Sequence, residues 1–268
     1  MCLIIFAFQA HPRYPLVLAA NRDEYYDRPS ASAAFWPDAP DILGGRDLKD
    51  GGTWLGVTRT GRIAALTNYR DPTVVKDAAP SRGWLVRDYL AGPEAPDAYV
   101  ARIAARAAAF NPFSLIVGNA SQLCYLSSRA AIQCLAPGIY GLSNHLLDTP
   151  WPKVARGKRR LAAALRDHNY RDRLEEVLFA MLADREKAPL ELLPDTGVGV
   201  DWELVLSSIF ITSPVYGTRS STVLIIDERG EVTFSERIFN GGSKPRHTAR
   251  FQFTIASQEG ALPQMERS

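Results

Sequence analysis

The feature that most restricts this chain is the grouping of its apolar runs. Short segments rich in β-branched residues come together, segments with helical spacing come in pairs, and the two kinds never alternate one for one. Residues 2–9 (CLIIFAFQ) and 15–20 (PLVLAA) flank His11-Pro12-Arg13-Tyr14, the pattern of two antiparallel strands joined by a tight connection. The Pro- and Asp-rich stretch 28–50 predicts loop. GGTWLGVTRTGRIAALTNYR then predicts two strands about a Thr60-Gly61 turn. SRGWLVRDYLAG, with Ser81 as N-cap and a closing Gly92, and PDAYVARIAARAAAFN predict a helix pair. FSLIVGNASQLCYLSS and AIQCLAPGIYGLSN return to strand character around Gly118-Asn119. After Thr149, read as N-cap and followed by Pro150, WPKVARGKRRLAAALRDH and DRLEEVLFAMLADR predict a second helix pair. A loop is expected over about 188–200, strands over 222–227 and 231–239, and a polar tail from about 244. The whole predicts an α+β layered protein, a single domain over 1–268.

Composition narrows the function classes. With 46% hydrophobic and 22% charged residues, the chain can bury a sizeable core. Its 31 basic and 29 acidic residues are spread along the sequence, so no polyanion partner is implied and nucleic acid is not expected. Cys2, Cys124 and Cys134 are odd in number and form no close ligand pair, which argues against a disulfide framework or zinc knuckle and for a reducing compartment. No run approaches the roughly twenty apolar residues of a membrane span. The apolar start has no basic leader and is broken by Gln9, His11, Pro12, Arg13 and Pro15, so no export signal is read and the cytoplasm is the expected location. GGRDLKDGG fits neither a phosphate loop nor a dinucleotide fingerprint.

Cys2 carries the sharpest chemical expectation. Removal of Met1 would leave a residue with both a thiol and a free α-amino group, whose reference pKa values of about 8.5 and about 7.7 to 8.0 let one residue supply nucleophile and base. Such a residue needs a carboxylate or amide to orient its ammonium group, oxyanion donors, and a cation that favours the thiolate. Asn21, Arg22, Asp23 and Glu24 follow the second strand, which as a hairpin partner returns them beside Cys2; Asn68 and Asn144 end other strands. The plainer readings are a core cysteine, a solvated salt-bridged turn, and asparagines that cap strands.

AANRDE, GGRD, GGTWLGVT, ALTNYR, YGLSN, DTPWPKV and YGTRSSTV, in that order, resemble the NRDE family, also called the transport and Golgi organization protein 2 family. That family is similar to the N-terminal-nucleophile (Ntn) hydrolases, and the resemblance implies a four-layer αββα sandwich and hydrolysis of a linear amide. It makes Cys2 the nucleophile and Asp23 the carboxylate that holds its amino group. It makes Asn68 a residue lining the site, Asn144 the oxyanion amide, and Arg219 a late arginine near the thiolate. Asn21, Arg22, Glu24 and Trp54 are motif residues expected to bind substrate or support the site, and Arg46 and Asp47 carry no assigned role. Related acylases have an arginine a few residues before the aspartate; here Arg22 adjoins Asp23, and neighbours on a strand face opposite sides.

The resemblance also implies a second reading, a non-catalytic protein that carries haem or acyl lipid. His11, His145, His168 and His247 are scattered and no CxxCH motif is present, so the sequence points to no axial ligand. On the catalytic reading no cofactor is required, and the partner is a small amide or acyl molecule. A third reading, a scaffold with a relic site, would use the basic face that carries Arg156, Arg159 and Arg160.

Overall fold

The computed structural model describes residues 3–242 and 244–256. Strands β1 (Leu3–Phe8) and β2 (Leu16–Tyr25) form the expected hairpin, followed by β3 (Ser30–Trp36), β4 (Ala39–Asp47), β5 (Leu55–Thr58) and β6 (Ile63–Asn68). Helices α1 (Gly83–Ala91) and α2 (Pro96–Ala104) precede β7 (Phe113–Gly118), β8 (Leu123–Ser127), β9 (Ala130–Cys134) and β10 (Gly138–Leu142). Then come α3 (Pro152–Arg166), α4 (Leu174–Leu182), α5 (Val200–Leu206), β11 (Tyr216–Ile226), β12 (Glu231–Ile238) and β13 (His247–Thr254). Among the described residues these strands make two antiparallel sheets, ordered β10-β1-β2-β11-β12-β13 and β3-β4-β5-β6-β7-β8-β9.

Strand alternation sorts the core into three clusters. On β1, Ile4, Phe6 and Phe8 face the second sheet and pack with Leu43, Leu55, Val57 and Ile63. Leu3, Ile5 and Ala7 face the other way, onto Val154 and Leu161 of α3 and Leu178 and Leu182 of α4. The far face of the second sheet is covered by Leu85 and Tyr89 of α1 and Tyr99 and Ile103 of α2. The central strands of each sheet therefore have both faces buried, which is why β1, β7 and β8 read as nearly unbroken apolar runs. No helix among the described residues is long and apolar enough to cross a membrane.

Several boundaries differ from expectation for local reasons. The stretch 28–50 is not loop: Trp36, Ile42 and Leu43 are buried, and the Pro37-Asp38 pair marks the turn between β3 and β4. AANRDE continues β2 instead of turning, because β1 and β11 pair with it on both sides. The N-cap of α1 is Arg82, not Ser81, and that of α3 is Trp151 ahead of Pro152, not Thr149. The stretch from 244, read as polar tail, contains β13, whose Phe251 and Phe253 meet Phe35 of β3.

One polar group sits where the two sheets meet. Glu236 of β12 is fully buried; its carboxylate accepts the backbone N–H of Ala33 at 2.6 Å, at a break in the β3–β4 register. Thr222 lies 3.5 Å from its other oxygen. Burial pushes the carboxyl up to about 7, against the pull of the Ala33 N–H. The folded chain therefore keeps a proton that the unfolded chain releases above about pH 4.5, so this group lowers stability as pH rises from about 4.5 to about 7. Glu236→Gln keeps an acceptor for Ala33 and removes the titration. Urea unfolding at about pH 5 and about pH 8 should show the variant gaining about 3 kcal/mol on wild type at the higher pH.

Candidate functional site

The ends of β2, β6 and β10 and the starts of β1 and β11 meet at one end of the two sheets. Cys2 lies outside the described residues; its neighbour Leu3 opens β1 directly opposite Asn21. Asn21 faces the helices, donating from Nδ2 to the Leu182 and Ile209 carbonyls at 2.9 and 2.8 Å and accepting the Ser221 hydroxyl at 2.6 Å. Its amide is a scaffold pin. Arg22 points the opposite way, toward the second sheet, and Asp23 alternates back to accept the Thr218 hydroxyl at 2.6 Å.

Arg22 is a buried charge with a defined seat. Its guanidinium lies 4.2 Å over the Trp54 ring and 3.6 Å from the Asp47 carboxylate. Burial lowers its proton affinity, with Glu24 and Asp47 opposing that effect. Nη1 is buried and has no hydrogen-bond partner among the described residues. Trp54 can slide beneath it only because position 45 is glycine: a Cβ there would stand 2.4 Å from the indole.

Asp47 organises this end of β4. Burial alone would raise its carboxyl, yet the Arg28 hydrogen bond at 2.6 Å and the Asp50 and Lys49 backbone N–H groups outweigh it and hold the group below the usual range. Arg46, its neighbour, faces outward to Asp38 and Trp36. The GGRD motif thus divides its work: Gly45 and Asp47 serve the site, and Arg46 braces the β3–β4 turn. Glu24 accepts the Tyr25 N–H and borders the cavity over Arg22.

Asn68 and Asn144 are joined directly, for Asn144 Nδ2 donates to the Asn68 carbonyl at 3.0 Å. The Arg70 backbone N–H donates to the Asn144 carbonyl at 2.7 Å, and its guanidinium reaches the Asn144 side-chain oxygen at 3.3 Å and Glu203 at 2.7 Å. Arg70 and Glu203 therefore fix the amide that the resemblance assigns to the oxyanion. ALTNYR contains Arg70, so a signal existed for it; Glu203 lies on a seven-residue helix bordering the expected loop and carried none.

Arg219 has a different setting. The β2–β11 register shifts between Thr218 and Ser220, leaving Arg219 as the extra residue of a bulge. Its guanidinium donates to the Tyr25, Tyr26 and Arg28 carbonyls at 2.7, 3.0 and 3.1 Å, clamping the turn after β2.

Two depressions share this end of the molecule. One, of about 190 Å³, is bordered by Arg22, Glu24, Asp47, Trp54 and Asn68 and is strongly polar. The other, of about 580 Å³, runs between Tyr25, Tyr69, Trp202, Leu206 and Tyr216, with Arg70 and Asn144 also on its wall. Asn68 and Arg82 border both, so the polar chamber and the apolar groove adjoin. Among the described residues, no group of three or more His, Cys, Asp or Glu side chains could hold a metal ion.

Asp47→Asn tests how far this end depends on one carboxylate. It leaves Arg22 and Arg28 facing a neutral amide and should cost about 2 kcal/mol in chemical denaturation near neutral pH. Because the Asp47 carboxyl is held below its usual value, the difference from wild type should shrink as pH falls through that range.

Comparison with known proteins gives this arrangement relatives. The family model described as Transport and Golgi organisation 2 matches residues 1–241. A Bos taurus Transport and Golgi organization protein 2 homolog is 37% identical over 281 residues, covering 96% of this chain and all of its own length. The Drosophila melanogaster Transport and Golgi organization protein 2 is 29% identical over 266 residues, covering 90% of this chain and 93% of its own. Among solved structures, a Caenorhabditis elegans N-acylethanolamine-hydrolyzing acid amidase ortholog aligns with a TM-score of 0.49 at 14% identity, over 84% of this chain and 92% of that one. The extent and identity of the sequence matches decide the matter: the chain belongs to the Transport and Golgi organisation 2 family.

Proposed function

We propose that the chain is a cysteine amidohydrolase of the Ntn type, a single four-layer αββα unit working in the cytoplasm, with Cys2 as nucleophile after Met1 is removed. The observation that carries this reading is Arg22: a buried guanidinium whose Nη1 has no hydrogen-bond partner among the described residues, at the strand end where Leu3 pairs with Asn21. A buried cation favours the thiolate of a cysteine beside it. In the proposed step the Cys2 thiolate attacks the acyl carbon, and an N–H of Asn144, with a backbone N–H, stabilises the oxyanion. The α-ammonium group, held by Asp23, gives its proton to the departing amine, and water then resolves the thioester. The polar chamber suits the scissile amide, and the adjoining groove suits an apolar or aromatic flank of the substrate.

The groove by itself favours a second reading, a carrier of haem or acyl lipid. Among the described residues its wall has no His, Cys or Met, so an axial ligand for haem from those residues would be Tyr25, Tyr69 or Tyr216. That reading keeps the groove and dispenses with the nucleophile.

Intact-mass analysis of the purified protein should show Met1 absent and one adduct per chain after treatment with an acylating thiol reagent. Cys2→Ala should lose both adduct and amide hydrolysis, and Arg22→Lys should lower kcat/KM by about tenfold to a hundredfold while the protein stays folded. Hydrolysis that persists in a chain retaining Met1, or in Cys2→Ala, would sink the proposal. Saturable haem or acyl-lipid binding unaltered by Cys2→Ala, without turnover in wild type, would favour the carrier.

A further inference from the structure

The two cysteines that the sequence holds ten positions apart are cross-strand partners in the fold. Cys124 of β8 pairs with Cys134 of β9, and the Leu135 N–H donates to the Leu123 carbonyl at 2.8 Å. That bond brackets the pair and makes it a non-hydrogen-bonded site, the closer of the two antiparallel pairings, with Cα atoms about 4.5 Å apart. A separation of this size lies within the range that a disulfide spans. Both side chains project from the same face of the sheet, toward α2.

The two thiols differ in access. Cys124 is fully buried in the core cluster that includes Tyr89, Tyr99 and Val100, whereas Cys134 is exposed on the edge strand. Burial first, and then the Cys134 thiol facing it, push the Cys124 thiol up to about 12. One cysteine can therefore meet a solvent-borne reagent, and the other can be reached only through the first.

We propose that Cys134 and Cys124 form a redox-responsive pair, in which Cys134 reacts with a small-molecule disulfide and Cys124 resolves the product into a cross-strand disulfide. The Cys134 thiolate attacks one sulfur of the oxidant, forming a mixed disulfide and releasing one thiolate. Cys124 then passes its proton to solvent and attacks Sγ of Cys134, closing the Cys124–Cys134 bond and releasing the second thiolate. Two protein thiols are oxidised as one small disulfide is reduced to two thiols. Capping Cys134 also removes the thiol that faces Cys124, easing its ionisation for the second step. The bond would staple β9, whose five residues are all exposed and whose register with β8 already breaks between Tyr125 and Ser127.

The test is incubation of the full-length protein with oxidised glutathione, acid quenching, and peptide mapping without reductant, which separates these cysteines from Cys2. Wild type should lose two thiols as a 124–134 cross-linked peptide, without an accumulating glutathione adduct. Cys124→Ser should stop at one glutathione on Cys134, and Cys134→Ser, an exposed change that spares the core, should leave Cys124 unreacted. A stable adduct on Cys134 of wild type with Cys124 still free would overturn the pair, as would two unreacted thiols under excess oxidant. None of these outcomes depends on whether Cys2 turns over a substrate.

Discussion

A positive charge taken out of water between two sheets sets the terms for the rest of this site. Stripping a guanidinium of solvent costs several kcal/mol unless nearby groups compensate. Arg22 has its compensation from the Trp54 ring face, the Asp47 carboxylate and the more distant Glu24. Each compensating group makes its own demand. Trp54 needs the missing side chain at Gly45, and Asp47 needs Arg28 and the two backbone N–H groups that hold its own charge. The motifs around residues 21–28 and 44–54 are thus one electrostatic unit divided among β2, β4 and the approach to β5.

The second half of the site is built by a different rule. Asn144, Asn68, Arg70 and Glu203 form a chain of hydrogen bonds in which backbone groups and side chains share the work. Here the amide is oriented through both its nitrogen and its oxygen, whereas Arg22 Nη1 has no hydrogen-bond partner among the described residues.

Short apolar runs rich in β-branched residues and bounded by turn signals made β1, β2, β5 and β6 legible in the sequence, and glycine punctuation marked Gly92 and Gly118 correctly. Strands β3 and β4 were obscured because their turn residues, Pro29, Pro37, Asp38 and Pro40, crowd a segment whose buried positions are few. β13 does alternate, with Ala249, Phe251 and Phe253 between Arg250, Gln252 and Thr254, but as an edge strand in a polar stretch its three inward residues read as tail. Within the site, Asn21, Arg22 and Asp23 stood out as a cluster, but the pinning role of Asn21 depends on Leu182 and Ile209, far along the chain. Arg219 shows the same limit: a bulge is a property of two strands in register, so nothing in YGTRSSTV by itself turns that side chain toward the Tyr25–Arg28 turn. The Cys124–Cys134 pairing was likewise hidden by a spacing that only the β8–β9 turn makes short.

Ile255 and Ala256, which follow β13, bear on how the two sheets are held together. At the end remote from the site, the Ala256 N–H donates to the Arg59 carbonyl, Ile255 packs against Gly61, and Gln9 donates to the Ala120 and Ser121 carbonyls. At the site end, the ties between sheets include the Arg22–Asp47 pair and the Asn144–Asn68–Arg70 hydrogen bonds, contacts that an incoming polar molecule can offer in exchange. The sandwich is therefore stitched along one end and laced at the other. A polar molecule at the laced end competes with hydrogen bonds and an ion pair, whereas the apolar core behind it offers that molecule nothing to exchange.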